Sequence, residues 1–157
     1  MRSLLLLPLL LAGCGTGAVG NRADEAVATA VQTATLTGLY EGGGGSQRSQ
    51  LCIVEHATGD SRFGLVHRGA GDASCSGAGS AVRQDSVLRL TMEGDEPCVV
   101  EAAIEGGRVT FPAAAAPGCA YYCGAGANLA GAVFEKVGGT SQDAARARDL
   151  VGDPLCG

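Results

Sequence analysis

Seven cysteines, two histidines and a few serines are the side chains through which this sequence could do chemistry. The cysteines are Cys14, Cys52, Cys75, Cys98, Cys119, Cys123 and Cys156. A thiol oxidoreductase works through C-x-x-C, one sulfur attacking and the other resolving, and that spacing is absent. C-x-x-C-H is absent too, which excludes covalent haem. Zinc would want paired cysteines or nearby histidines, but the one close pair, Cys119-x-x-x-Cys123, has neither His56 nor His67 near it in sequence. Nucleophilic catalysis needs a base beside the nucleophile and a group that orients the base. Ser76 and Ser80 lie in Cys-Ser-Gly-Ala-Gly-Ser, without the G-x-S-x-G turn that presents a serine nucleophile. His56 and His67 therefore read as strand-end residues near solvent.

Three other constellations are weighed and set aside. Glu93, Asp95 and Glu96 lack the twelve-residue spacing of an EF-hand and read as a solvated hairpin turn. Gly77-Ala-Gly79 runs into strand-like sequence, without the lysine or helix start of a phosphate loop. Gly15–Gly20 formally matches G-x-G-x-x-G, yet no strand precedes it, so it reads as a tether. Adjacent Tyr121 and Tyr122, framed by Cys119 and Cys123, are the best recognition feature, because neighbouring side chains on one element cannot both point inward.

The N-terminus gives the address. Arg2 is followed by an apolar run from Leu4 to Leu11, broken only by Pro8, and then Leu11-Ala12-Gly13-Cys14. The run is too short for a bilayer core of ~30 Å. The tetrapeptide resembles the lipobox of bacterial lipoproteins. That resemblance implies a signal peptide at 1–13, cleavage before Cys14 and lipid, with acyl chains such as palmitate, on Cys14. Several acyl chains hold a protein firmly where one holds it marginally. Residues 14–34 then form a lipidated tether and a short helix, with Asn21 as cap and Ala23, Ala26, Val27, Ala30, Val31 and Ala34 as a small-residue stripe. The implied location is the bacterial envelope, at the outer membrane and facing the periplasm.

With Cys14 assigned to lipid, Cys52, Cys75, Cys98, Cys119, Cys123 and Cys156 remain, an even number in an oxidising compartment, and three disulfides follow. Fifteen pairings are open. On a helical turn the sulfurs of Cys119 and Cys123 share a face and reach outward, so one of them is expected to pair with Cys156. The formal net charge is −5, one unit more negative once Arg2 leaves, which argues against nucleic acid and suits a basic partner. No residue set calls for a cofactor or a metal.

From Thr35 the hydrophobic period is two. Strands are expected at Thr35–Glu41, Leu51–His56, Arg62–His67, Ala73–Val82, Val87–Met92, Cys98–Ile104, Arg108–Phe111 and Gly131–Lys136. Turn chemistry at Ala57–Asp60, Gly69–Asp72, Glu93–Glu96 and Glu105–Gly107 makes neighbours antiparallel. The expected fold over 35–157 is one mainly β domain, a small antiparallel up-and-down barrel or coiled sheet of about eight strands. Thr140-Ser-Gln-Asp143 reads as a capping box opening a last helix through Val151.

Gly126-Ala-Asn-Leu-Ala-Gly-Ala-Val-Phe-Glu-Lys136-Val-Gly resembles, over about a dozen residues, the signature of membrane-bound lysozyme-inhibitor lipoproteins. The signature's serine is replaced by Ala125, and its aromatic pair is reduced to Phe134. The resemblance implies a disulfide-linked eight-stranded barrel whose Lys136 reaches into an enzyme's active site. The expectation is thus a non-catalytic binding module, an inhibitor of a basic envelope-attacking enzyme such as lysozyme; a small-ligand carrier and a structural lipoprotein are the alternatives. An interior cavity would favour the carrier, and an exposed Lys136 beside the tyrosines the inhibitor. Cys14→Ser is expected to move the protein from the membrane to the soluble periplasmic fraction, and mass spectrometry of the native protein should find lipid on Cys14.

Overall fold

The computed structural model describes residues 35–43 and 48–156. The expected signal peptide, Cys14 and the expected 14–34 tether and helix lie outside the described residues. Eight strands form a closed antiparallel barrel in sequence order: β1 Gly38–Gly42, β2 Ser49–Glu55, β3 Ser61–Arg68, β4 Ser74–Gln84, β5 Val87–Met92, β6 Val99–Glu105, β7 Arg108–Thr110 and β8 Val133–Gly138. The expected barrel is there, with strand boundaries shifted by a few residues.

Alternation builds the core. Tyr40, Leu51, Ile53, Phe63, Leu65, Leu88, Leu90, Val109 and Phe134 point inward and are at most 2% exposed. An eight-stranded barrel is just wide enough for side chains to fill, and here they do. Closure comes from β1 pairing with β8, Tyr40 opposite Lys136 and Glu41 opposite Glu135. Glycines allow that seam: a Cβ on Gly38 would lie 2.1 Å from the Gly138 carbonyl oxygen, and one on Gly42 2.1 Å from that of Val133.

A second small apolar layer lies outside the wall. Leu39 and Cys52 face outward from β1 and β2 and are covered by Ala144, Ala147, Leu155 and Cys156. The capping box forms as expected, with Thr140 and Asp143 satisfying each other's backbone N–H, but α1 spans only Ser141–Ala144. The expected continuation to Val151 is corrected. The chain doubles back so that the Leu155 N–H donates to the Ala147 carbonyl (3.0 Å), and this return carries Cys156 to Cys52.

The disulfides are Cys52–Cys156, Cys75–Cys123 and Cys98–Cys119. Pairing of Cys119 or Cys123 with Cys156 is therefore corrected. Both lie on or beside a 3-10 turn, Cys119–Tyr122, that packs over one end of the barrel, where Cys75 and Cys98 face inward. Cys156 lies on the outer wall. Cys119 and Cys123 do not pair with each other, and Cys123 is extended at the end of the turn.

Cys52–Cys156 spans 104 residues, a loop length for which the chain-entropy model gives about 4–5 kcal/mol. The double variant Cys52→Ser/Cys156→Ser should lose about that much in urea unfolding, with early proteolysis after Ala147 while the meander stays protected.

Candidate functional site

Because strands alternate direction, the barrel has one end formed by the β2–β3, β4–β5 and β6–β7 turns and another formed by the β3–β4 and β5–β6 turns. The first end is closed by Thr35–Thr37. Leu36 is inserted into the core at 3% exposure. One carboxylate oxygen of Glu55 accepts from the backbone N–H of Leu36 (2.9 Å) and of Thr37 (3.2 Å) and from both threonine hydroxyls. The Tyr40 hydroxyl donates to the Leu36 carbonyl at 2.7 Å, and the Lys136 ammonium to the Thr35 carbonyl at 2.5 Å. Lys136 also lies over the Tyr40 ring, 5.5 Å from its centroid. Burial pushes the Tyr40 phenol up to about 12, with the Glu55 charge adding to the rise. Burial likewise lowers Lys136, against the pull of Glu55. For Glu55 burial acts upward, but the hydrogen bonds from Thr35, Thr37 and Leu36 outweigh it and hold the carboxyl below its usual range.

The tyrosines lie at the opposite end. Tyr122 packs against Gly77 and Gly94, and its hydroxyl donates to the Glu96 carbonyl at 2.8 Å. Tyr121 stands on it edge-to-face, centroids 5.2 Å apart, and is 60% exposed. Cys98–Cys119 and Cys75–Cys123 fix both ends of the turn, and the Gly124 N–H donates to the Ser74 carbonyl. Partial desolvation, then Tyr121 and the carboxylates of Asp95 and Glu96, raise the Tyr122 phenol, so these acids lie close to the ring pair. Glu93, in the same turn, is held by Arg62.

The three residues expected to bind thus divide between the two ends. Tyr121 and Tyr122 form one surface. Lys136 is elsewhere, half-buried in the opposite mouth and tied to Thr35, so neither its expected free projection nor its place beside the tyrosines is found. The reason is parity: Phe134 fills the core, so Lys136 two residues on must point inward as well.

The histidines and serines are not brought together as nucleophile and base. Ser76 lies opposite Val66 in the ladder, on the outer face, whereas His67 points inward. His67 instead meets Ser49, Nδ1 to Oγ 3.2 Å, and Ser49 Oγ accepts from the Arg68 N–H at 2.9 Å. Burial lowers the imidazole's pKa, which favours the neutral ring beside the serine hydroxyl. Ser49 is 2% exposed and the ring packs edge-on to Phe134, so the pair ties β2 to β3 rather than presenting a nucleophile. Sequence reading missed Ser49; the only signal was its place opposite His67 in the hairpin register. Gly77 is covered by Met92 and Tyr122. Among the described residues no three His, Cys, Asp or Glu side chains converge on a metal position.

No family model matches the chain, and no curated protein or solved structure matches it either.

Glu55 sets the acid response of the closed end. A carboxyl whose folded pKa is depressed stabilises above its unfolded value, near 4.5, and that contribution is lost as pH falls through the folded value. Urea midpoints should therefore differ between the native protein and Glu55→Gln at pH 7, and the gap should close on going to pH 3, with faster amide exchange at Leu36 and Thr37 in the variant.

Proposed function

We propose that this protein is a lipid-anchored, non-catalytic binding module of the bacterial envelope, held by Cys14 at the outer membrane and facing the periplasm. Its partner is a basic protein, an envelope-attacking enzyme such as lysozyme being the first candidate. The observation that carries the reading is Tyr121: a 60% exposed aromatic on a turn clamped by two disulfides, beside the exposed Asp95 and Glu96. Rigid aromatics lose little entropy on binding and dominate interface energetics. Carboxylates beside them attract and orient a cationic surface. The carrier alternative has less support, since the barrel interior is filled by aromatic and aliphatic side chains. A lysine plugging an enzyme's cleft also has less support, because Lys136 already serves Thr35.

The test titrates the purified full chain, in detergent, against c-type lysozyme, reading binding and lytic activity. Tyr121→Ala should weaken binding about 30-fold, the loss typical of a central aromatic anchor worth ~2 kcal/mol. Asp95→Asn/Glu96→Gln should slow association most at low salt. Lys136→Ala should leave affinity unchanged. Lysozyme neither bound nor inhibited at micromolar concentration would leave the structural lipoprotein.

A further inference from the structure

The barrel wall has a slot. β7 pairs with only the second half of β6, Ala103 to Glu105, and then Phe111 and Pro112 swing away while still bonding to the Ala132 and Gly131 side. The bonds from Met92 to the Cys98 carbonyl and from Ile104 to the Ser86 carbonyl show that even-numbered residues of β6 address β5. Odd-numbered residues address the other side. Ala103 and Glu105 find β7 there, whereas Val99 and Glu101 present two N–H and two C=O groups with no strand opposite them among the described residues. Beside this edge is a cavity of about 350 Å³, floored by Val100, Phe111 and Leu129 and walled by Pro112 and Ala114–Ala116. Its size is at the small end of ligand cavities, which begin at about 300 Å³, and suits one or two aliphatic side chains.

We propose that this slot takes an extended segment of a basic protein partner, which pairs with Val99 and Glu101 as a short added strand and sets an apolar side chain into the cavity. An unpaired strand edge with an adjoining pocket is the chemistry of strand addition, the backbone giving affinity and the pocket selectivity. Charge decides the occupant. The outer face of β6 carries Glu101 and Glu105, and the turn leading into it carries Asp95 and Glu96. Two arginines lie on this face, Arg89, 3.0 Å from Glu101, and Arg108, opposite Glu105 in the ladder and paired with Glu135, so the acids still outnumber the cations. A second copy of this edge would set like charges against each other. A segment flanked by Lys or Arg meets net attraction. The inference deepens the proposed basic partner and rests on it for the sign of the charge; the slot itself does not involve Tyr121.

The experiment uses the full chain in detergent and the fluorescein-labelled peptide Lys-Val-Thr-Val-Thr-Val-Lys. Two control peptides carry N-methyl groups on alternate backbone nitrogens or Glu in place of both Lys. Anisotropy should show saturable binding of the first peptide, at least tenfold weaker for each control, and at least tenfold weaker for Ala115→Trp, which fills the cavity from an exposed loop. Amide shifts should move at Val99 and Glu101. Before peptide is added, these two amides should exchange faster than those of Val100 and Ala102. Equal binding of the N-methylated peptide, no binding at millimolar concentration, or protected Val99 and Glu101 amides in the free protein would overturn the proposal. Tyr121→Ala separates the two readings: it should leave peptide binding intact. Lysozyme binding without peptide binding sinks the slot alone, and peptide binding without lysozyme binding sinks the tyrosine end alone.

Discussion

Closure of the ladder between β1 and β8 is the constraint on which the rest of this protein depends. A closed eight-stranded wall has one interior radius, so every inward position must fit a space one side-chain layer deep. Apolar residues satisfy that in the middle. Polar inward residues are tolerable only near the mouths, where they find partners: Glu55 and Lys136 at one end, Ser49 and His67 near the other. The same closure removes free edges around most of the circumference, which makes the short β7 and the slot beside β6 the exception.

Covering the two mouths takes different devices. One is stopped by Leu36, inserted from the N-terminal side and held by a single carboxylate that collects four donors. Charge-assisted bonds of this kind are roughly twice as strong as neutral ones, and sharing one acceptor makes the four groups depend on one ionisation state. The other mouth is covered by the 3-10 turn, whose cysteines bond to inward-facing Cys75 and Cys98, and by Tyr122 over Gly77. Here covalent bonds replace the charge, and the chain leaves Tyr121 outside.

Much of this architecture was legible in the sequence. Alternation in Val87–Met92 and the Cys98–Ile104 stretch, with turn residues between them, leads to a meander, and eight short strands lead to a barrel. Cysteine pairing was not legible, because spacing along a chain says nothing about which end of a meander, or which side of its wall, a sulfur lands on. Cys52 at an outward position of β2 could be reached only by a tail crossing the wall, and the helical propensity of Ser141–Val151 hid the reversal that brings it there. Lys136 was half legible: Phe134 two residues earlier fixes its direction, but what waits for its ammonium, the Thr35 carbonyl, is 101 residues away.

The surface charge has an order that composition conceals. Among the described ion pairs arginine is always the cation, meeting Glu41, Glu93, Glu101, Glu135 and Asp143. Exposed pairs of this kind add little stability, commonly under ~1 kcal/mol each. Their effect is to cancel charge locally over much of the wall. Asp95 and Glu96, on the turn before β6, and Glu105, at its end, are among the carboxylates that belong to none of these pairs. That is where the Tyr121 turn and the open strand edge also lie. Thr35 lies at the other mouth, so the Glu55 stopper and the acidic, aromatic end occupy opposite ends of the barrel.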